Sequence, residues 1–88
     1  MRHTGLYVNH NNLTGPIPAK IGNLVNLWQF NVSRNQLSGS VPNEIKNFVH
    51  LNYLNLSENE YLDKVVHEDM KQNQAAWRFL NEQGFVVP

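Results

Sequence analysis

The chain has 88 residues, which limits it to one small domain. Seven basic side chains balance seven acidic ones, which argues against the clustered positive surface of a nucleic-acid binder. There is no cysteine, so disulfides and thiolate metal sites are excluded, and no apolar run approaches the length of a membrane span.

The opening stretch, MRHTGLYVNH, lacks the apolar core of a signal peptide. Beyond it the chain repeats itself. LTGPIP at residues 13–18 returns as LSGSVP at 37–42, with Leu13 and Leu37, Gly15 and Gly39, and Pro18 and Pro42 each 24 residues apart. The same shift pairs Val8 with Val32, Asn11 with Asn35, Ile21 with Ile45, Asn23 with Asn47 and Val25 with Val49. A further shift brings Leu27 onto Leu51, Asn31 onto Asn55, Ser33 onto Ser57, Asn35 onto Asn59 and Val41 onto Val65. Agreement at one period over most of the chain marks a repeat architecture. The coils read as 3–26, 27–50 and a partial one at 51–66, followed by a tail at 67–88.

Each coil has a physical grammar. Phe30 and Val32 alternate with Asn31 and Ser33, the pattern of a half-buried strand. Asn35 stands where the chain turns inward, and its amide can both donate to and accept from backbone groups that a buried turn leaves unpaired. Its loss is expected to destabilise the fold, and that of Asn59 less so if the last coil is looser. Gly39 widens the allowed backbone and Pro42 fixes a non-helical φ on the way out. Ile45 and Phe48 then point back to the core. One coil is a strand, a turn and a short irregular or 3₁₀ return.

LWQFNVSRNQLSGSVPNEIKNFVH, with LYVNHNNLTGPIPAKIGNLVN before it, resembles the plant-type leucine-rich repeat, whose 24-residue unit carries an LxGxIP signature. LNYLNLSENEYLDKV matches the first half of a unit and then loses the Gly and the Pro. The resemblance covers roughly residues 3 to 66. It implies an α/β solenoid of about three coils, with a short parallel sheet on the concave side and a second extended segment along one flank. It also implies a recognition module rather than an enzyme, of a kind common in receptors and secreted inhibitors, with a few members that bind ice.

The departures are at the ends. His3 stands where a unit wants Leu, and no cysteine-bearing cap is present. The N-terminal end is therefore expected to be truncated or covered by a partner, and self-association there is one way to cover it. At the other end Asp63, Lys64 and Val66 replace Gly, Ser and Pro. The tail, free of Pro and Gly up to Gly84, predicts a helix from about Val66 to Gln83, with Glu68 and Asp69 near its start. Val66, Met70, Asn73, Trp77 and Leu80 fall on one stripe, with Asn73 its weak member. That stripe is expected to cap the last coil, Trp77 and Leu80 resting near Leu54, Leu56 and Val65. FVVP predicts an extended end piece.

Catalysis has little support. His3, His10, His50 and His67 show no metal-ligand spacing. Ser33, Ser38, Ser40 and Ser57 sit on repeat positions without a nucleophile motif, and no phosphate-binding Gly loop occurs. No cofactor is implied. Alternation instead projects three outward sets from the concave strands: Thr4, Gly5, Tyr7, Asn9, His10; Trp28, Gln29, Asn31, Ser33, Arg34; and Asn52, Tyr53, Asn55, Ser57, Glu58. Across strands they form columns, one of His10, Arg34 and Glu58, another of Tyr7, Asn31 and Asn55, with Trp28 and Tyr53 offset by one residue. Exposed Trp, Tyr and Arg are the residue types that anchor interfaces, so Tyr7, His10, Trp28, Arg34, Tyr53 and Glu58 are the candidate protein- or peptide-binding residues. A regular small-polar face for ice would be interrupted by Trp28, Arg34 and Glu58. A truncated repeat protein without an independent role is the remaining alternative. Three N-glycosylation sequons occur, at Asn12, Asn31 and Asn55. The repeat itself writes Asn, an apolar residue and Ser or Thr, so they are either acceptors or by-products of its grammar. Relatives by resemblance are often extracellular or membrane-anchored, which leaves the compartment open.

Overall fold

The structure, a computed structural model, describes residues 4–88. His3 lies outside the described residues. Three coils each place one strand in each of two parallel sheets. The first sheet contains β1 (Thr4–Tyr7), β3 (Leu27–Asn31) and β5 (Tyr53–Asn55), in that order. The second contains β2 (Thr14–Pro16), β4 (Gln36–Gly39) and β6 (Tyr61–Leu62). Each coil returns through a 3₁₀ turn, at Ala19–Asn23, Asn43–Asn47 and Glu68–Gln72, and helix α1 (Gln74–Glu82) follows the third.

The register explains why the alternation works. Leu6, Phe30 and Leu54 are mutual partners across the first sheet and face inward, and Phe30 and Leu54 are buried. The outward neighbours Gly5, Gln29 and Tyr53 form one row and Tyr7, Asn31 and Asn55 the next. Ile45 and Phe48 close the core from the return side, and the Phe48 ring meets Phe30 edge-on with centroids 5.8 Å apart. Full burial of side chains of this size stabilises by about 1.5–3 kcal/mol each. The turns are tied by asparagine. Asn35 Nδ2 donates to Val8 O, Val32 O and Ser33 O, and its Oδ1 accepts from Leu13 N–H. Gly15 and Gly39 sit at φ 82° and 77°, a region that side chains rarely enter.

The third coil is complete and one residue longer than the second. Ile45 has its counterpart 25 positions on, in Met70, and both are fully buried. Val66, at 2% exposure, takes the place of Val41, whereas Val65 is 45% exposed. The alignment of Val41 with Val65 is therefore overturned: the extra residue lies between Asn59 and Leu62, where Leu62 rather than Tyr61 turns inward. The expected helix from Val66 also gives way to a return turn followed by a shorter helix. Asn73 is the reason. Its Nδ2 donates to Lys46 O and Phe48 O in the second coil, and its Oδ1 caps α1 by accepting from Ala76 N–H. These bonds hold Asn73 in extended backbone, at φ −109° and ψ 96°, so it ends the return and starts α1 instead of continuing one helix.

Helix α1 then closes the C-terminal end, with Ala76 and Leu80 fully buried and Trp77 packed against the same core. Gln83 Nε2 donates to Leu54 O at 2.7 Å and its Oε1 accepts from Leu56 N–H at 2.8 Å. One side-chain amide thus satisfies the backbone groups that a following strand would pair. Val86 pairs in parallel with Val65, and Phe85 is fully buried.

Candidate functional site

The outward face of β1, β3 and β5 carries two exposed tyrosines separated by amides. Tyr7, 57% exposed, lies back along its strand over Gly5, where an added Cβ would stand 2.5 Å from the ring. Only glycine allows the ring to rest there. Tyr53 is 38% exposed and meets Phe79 edge-on at 5.7 Å. Its hydroxyl accepts from Asn55 Nδ2 at 3.0 Å. Two strand spacings separate these tyrosines, roughly 10 Å. Gln29 and Asn31 lie between them, both half-buried.

The asparagines of this face are held from below. Asn31 Oδ1 accepts from Ser33 N–H and from Ser33 Oγ–H, at 3.1 and 2.7 Å. Asn55 repeats this with Ser57 at 2.9 and 2.6 Å. The Asn–apolar–Ser phrase of the sequons therefore builds a closed local turn at both positions. Each carboxamide has its oxygen turned toward the chain and its nitrogen outward. Asn12, the third sequon residue, is exposed between β1 and β2.

His10, Arg34 and Glu58 line up in the next row, but past the strand ends rather than on them. All three adopt left-handed backbone, with φ 59°, 58° and 58°. His10 N–H donates to Ser33 O and Arg34 N–H to Ser57 O, which holds the row in place whatever its side chains do. Arg34 Nε donates to Glu58 Oε2 at 3.1 Å, with side chains 56% and 61% exposed. A pair so exposed contributes at most about 1 kcal/mol. The row borders a shallow open depression of about 450 Å³, shared with Asn11 and Asn12. Trp28 is half-buried on β3, and its carbonyl accepts from Asn52 N–H.

Of the six candidate residues, then, Tyr7 and Tyr53 are exposed on the sheet, Trp28 is half-buried at the register shift between β1 and β3, and His10, Arg34 and Glu58 lie in the adjoining turns. The sequence reading missed two neighbours. Phe79 and Arg78 of α1 adjoin this face beside Tyr53, with the guanidinium 5.4 Å from the Phe79 ring centre. The available signal was an aromatic residue lying off the Trp77–Leu80 stripe. Among the described residues, no group of His, Cys, Asp or Glu could hold a metal ion, and no helix is long and apolar enough to cross a membrane.

Coils of about 24 residues, two parallel sheets and 3₁₀ returns define a short leucine-rich-repeat solenoid with a capping helix. The Leucine Rich Repeat family matches at residues 4–24 and 26–48, half of the chain, and the chain belongs to that family. Comparison with curated proteins gives no match. Repeats of this class typically build non-enzymatic protein-interaction modules.

Proposed function

We propose that the chain is a non-enzymatic recognition module that binds an extended protein or peptide segment across its first sheet. The observation that carries this reading is the pair of exposed tyrosines flanking fixed amides. Tyr7 and Tyr53 supply aromatic area at little cost in side-chain freedom, since both lie along their own strands. Asn31 presents its Nδ2 as a donor because its oxygen is already engaged. An extended peptide offers carbonyl acceptors and side chains at matching intervals. Trp28 and Arg34 flank this centre, with His10 and Glu58 at its margin. In this division of labour the three coils, through the third return at Glu68–Gln72, recognise, and α1 with the residues after it caps. Sugars at Asn31 and Asn55 would stand over the tyrosines, so binding belongs to the form bare at both positions. Asn12 lies to one side and is compatible with either state.

The test is selection of peptides from a displayed random library on the 88-residue chain, followed by calorimetry with the tightest one. Replacing Tyr7 and Arg34 together by Ala is expected to weaken it by a factor of roughly 30 or more, the loss of about one interface anchor. Unchanged affinity in a variant that keeps its circular dichroism would place the ligand elsewhere. Intact-mass measurement on chain from its natural source supplies the second arm. Sugars on both Asn31 and Asn55 would rule the sheet face out.

A further inference from the structure

Helix α1 is held rigidly beside the exposed face of the first sheet. Ala76 and Leu80 are fully buried under it, and Gln83 ties it to β5 through Leu54 O and Leu56 N–H. Leu54 lies between Tyr53 and Asn55, so these bonds also fix the helix relative to the outward side chains of that strand. Phe79 of α1 is half-buried against the core, and its ring meets Tyr53 edge-on at 5.7 Å. The Arg78 guanidinium lies over the Phe79 ring, 5.4 Å from its centre. Phenol, ring and cation thus follow one another from the sheet onto the helix.

Arg78 is exposed, and its side chain makes no hydrogen bond and no ion pair with any described group. Glu82 stands four residues on, a spacing at which helical charges can pair, yet the guanidinium turns to the Phe79 ring instead. An aromatic ring attracts the cation but accepts from its N–H donors far less well than an oxygen does, so the hydrogen-bonding capacity of the fork stays open. The neighbouring cations are placed differently. Arg34 and Lys46 already face Glu58 and Asp69. Lys71 and Lys64 lie over Trp77 and Phe85, and only the ring under Arg78 meets Tyr53.

We propose that Arg78, Phe79 and Tyr53 form a carboxylate subsite at the α1 end of the peptide face, so that the helix selects the ligand as well as capping the solenoid. The proposal rests on the reading of the first sheet as a peptide site. Its occupant is a carboxylate of the bound peptide, from an Asp or Glu side chain or from the chain end. Charge complementarity argues for this occupant: a guanidinium without a partner matches a carboxylate through two parallel N–H···O bonds, a fit that a neutral amide does not offer. The two rings shield one side of such a pair from water and strengthen it over a pair on open surface. The path from Tyr53 through Phe79 to the guanidinium is at most about three residues of extended chain. The carboxylate therefore belongs within three positions of the peptide residue that covers Tyr53.

The probe is a random synthetic peptide library, made with free and with amidated C-terminal ends and selected on the 88-residue chain. Peptides enriched from both forms should share an acidic residue near an aromatic or apolar one. Enrichment from the free form alone would assign the carboxylate to the chain end. By calorimetry Arg78→Gln should weaken the tightest acidic peptide roughly 10-fold or more and leave its amide analogue unchanged. Selection on Arg78→Glu should move the preference at that position to Lys or Arg, a reversal that a merely structural role would not produce. Circular dichroism checks that both variants fold. A second measurement does not need a long ligand: N-acetyl-Phe-Glu-amide should shift the nuclear magnetic resonance signals of Arg78 Nε–H and of the Tyr53 and Phe79 rings more than N-acetyl-Phe-Gln-amide does. Selected peptides without an acidic preference, or an equal loss of acidic and amide peptides on Arg78→Gln, would overturn the subsite and leave the sheet as a peptide site. A library without binders but a Glu-specific shift at Arg78 would keep the subsite and remove the extended-peptide reading. No binders and equal shifts would overturn both.

Discussion

The second and third coils do the same work with different residues. Coil two follows the repeat grammar throughout, with Gly39 at φ 77° and Pro42 at φ −64° leading into its return. Coil three has one residue more, Lys64 at the Gly position and His67 at the Pro position. Yet His67 takes φ −65° and its Nδ1 accepts from Asp69 N–H at 3.1 Å, so that the return starts in the same backbone conformation. Upstream, Asp63 Oδ1 accepts from Val65 N–H at 3.1 Å and makes a side-chain turn where coil two uses glycine. Lys64 does not adopt positive φ. The difference teaches that the motif residues are one solution to a backbone path, and that short polar side chains supply another.

If the two coils are equivalent where it counts, matched truncations should cost alike. Ile45→Ala and Met70→Ala should each destabilise by about 2–5 kcal/mol, because both side chains are fully buried and neither site can collapse freely. Chemical denaturation of the two variants measures this directly. A Met70→Ala variant that unfolds like the parent would mean that the third return is not part of the cooperative core. The asparagines come next. Each makes four hydrogen bonds to backbone, and Asn59 is 0% exposed against 7% for Asn35. Asn35→Ala and Asn59→Ala should each cost about 1–3 kcal/mol, with Asn59 at least the equal of Asn35. The sequence alone suggested the reverse, on the idea that the last coil is loose. Gln83→Met keeps the volume but leaves Leu54 O and Leu56 N–H without partners, for a loss of about 1–2 kcal/mol. Faster hydrogen exchange at Leu56 would locate that loss at the sheet edge, and an unchanged rate would deny Gln83 its capping role.

How much was legible in the sequence follows from where each feature draws its cause. Period, strand alternation and the inward Asn35 were readable because a coil meets an almost identical coil, so that local pattern and tertiary environment agree. The row of His10, Arg34 and Glu58 was readable as a column, though not as a set of left-handed turn residues, since neither Arg nor Glu favours φ above zero and His10 alone carries that tendency. Tyr7 over Gly5 was out of reach, because alternation fixes the face of a side chain and not its direction along that face. The tail was harder. Helical spacing put Asn73 on an apolar stripe, but its partners Lys46 O and Phe48 O lie 27 and 25 residues away and leave no local trace. The one-residue insertion was hidden by Val65 and Val66, which satisfy either alignment by composition alone.

The smallest expected effects sharpen the comparison most, because the two missing motif residues should respond with opposite signs when restored. His67 already has proline's φ, and its backbone N–H donates to no described group. His67→Pro would therefore restrict the unfolded chain without disturbing the folded one, a gain of about 0.4–1 kcal/mol. It also removes the bond from Asp69 N–H to the imidazole, which is exposed and so offsets only part of the gain. Lys64→Gly is the converse case. The residue does not use positive φ, so glycine relieves no strain there and only enlarges the freedom lost on folding, a cost of about 0.5–1 kcal/mol. It would also remove the Lys64 ammonium, which stands 4.5 Å from the centre of the buried Phe85 ring. Thermal melts of the two variants beside the parent decide the matter. A rise for His67→Pro with a fall for Lys64→Gly means that the third coil shares the return of the second but reaches it by its own path. A rise in both would mean that Asp63 merely tolerates the missing glycine, and that its side-chain turn is no substitute for one.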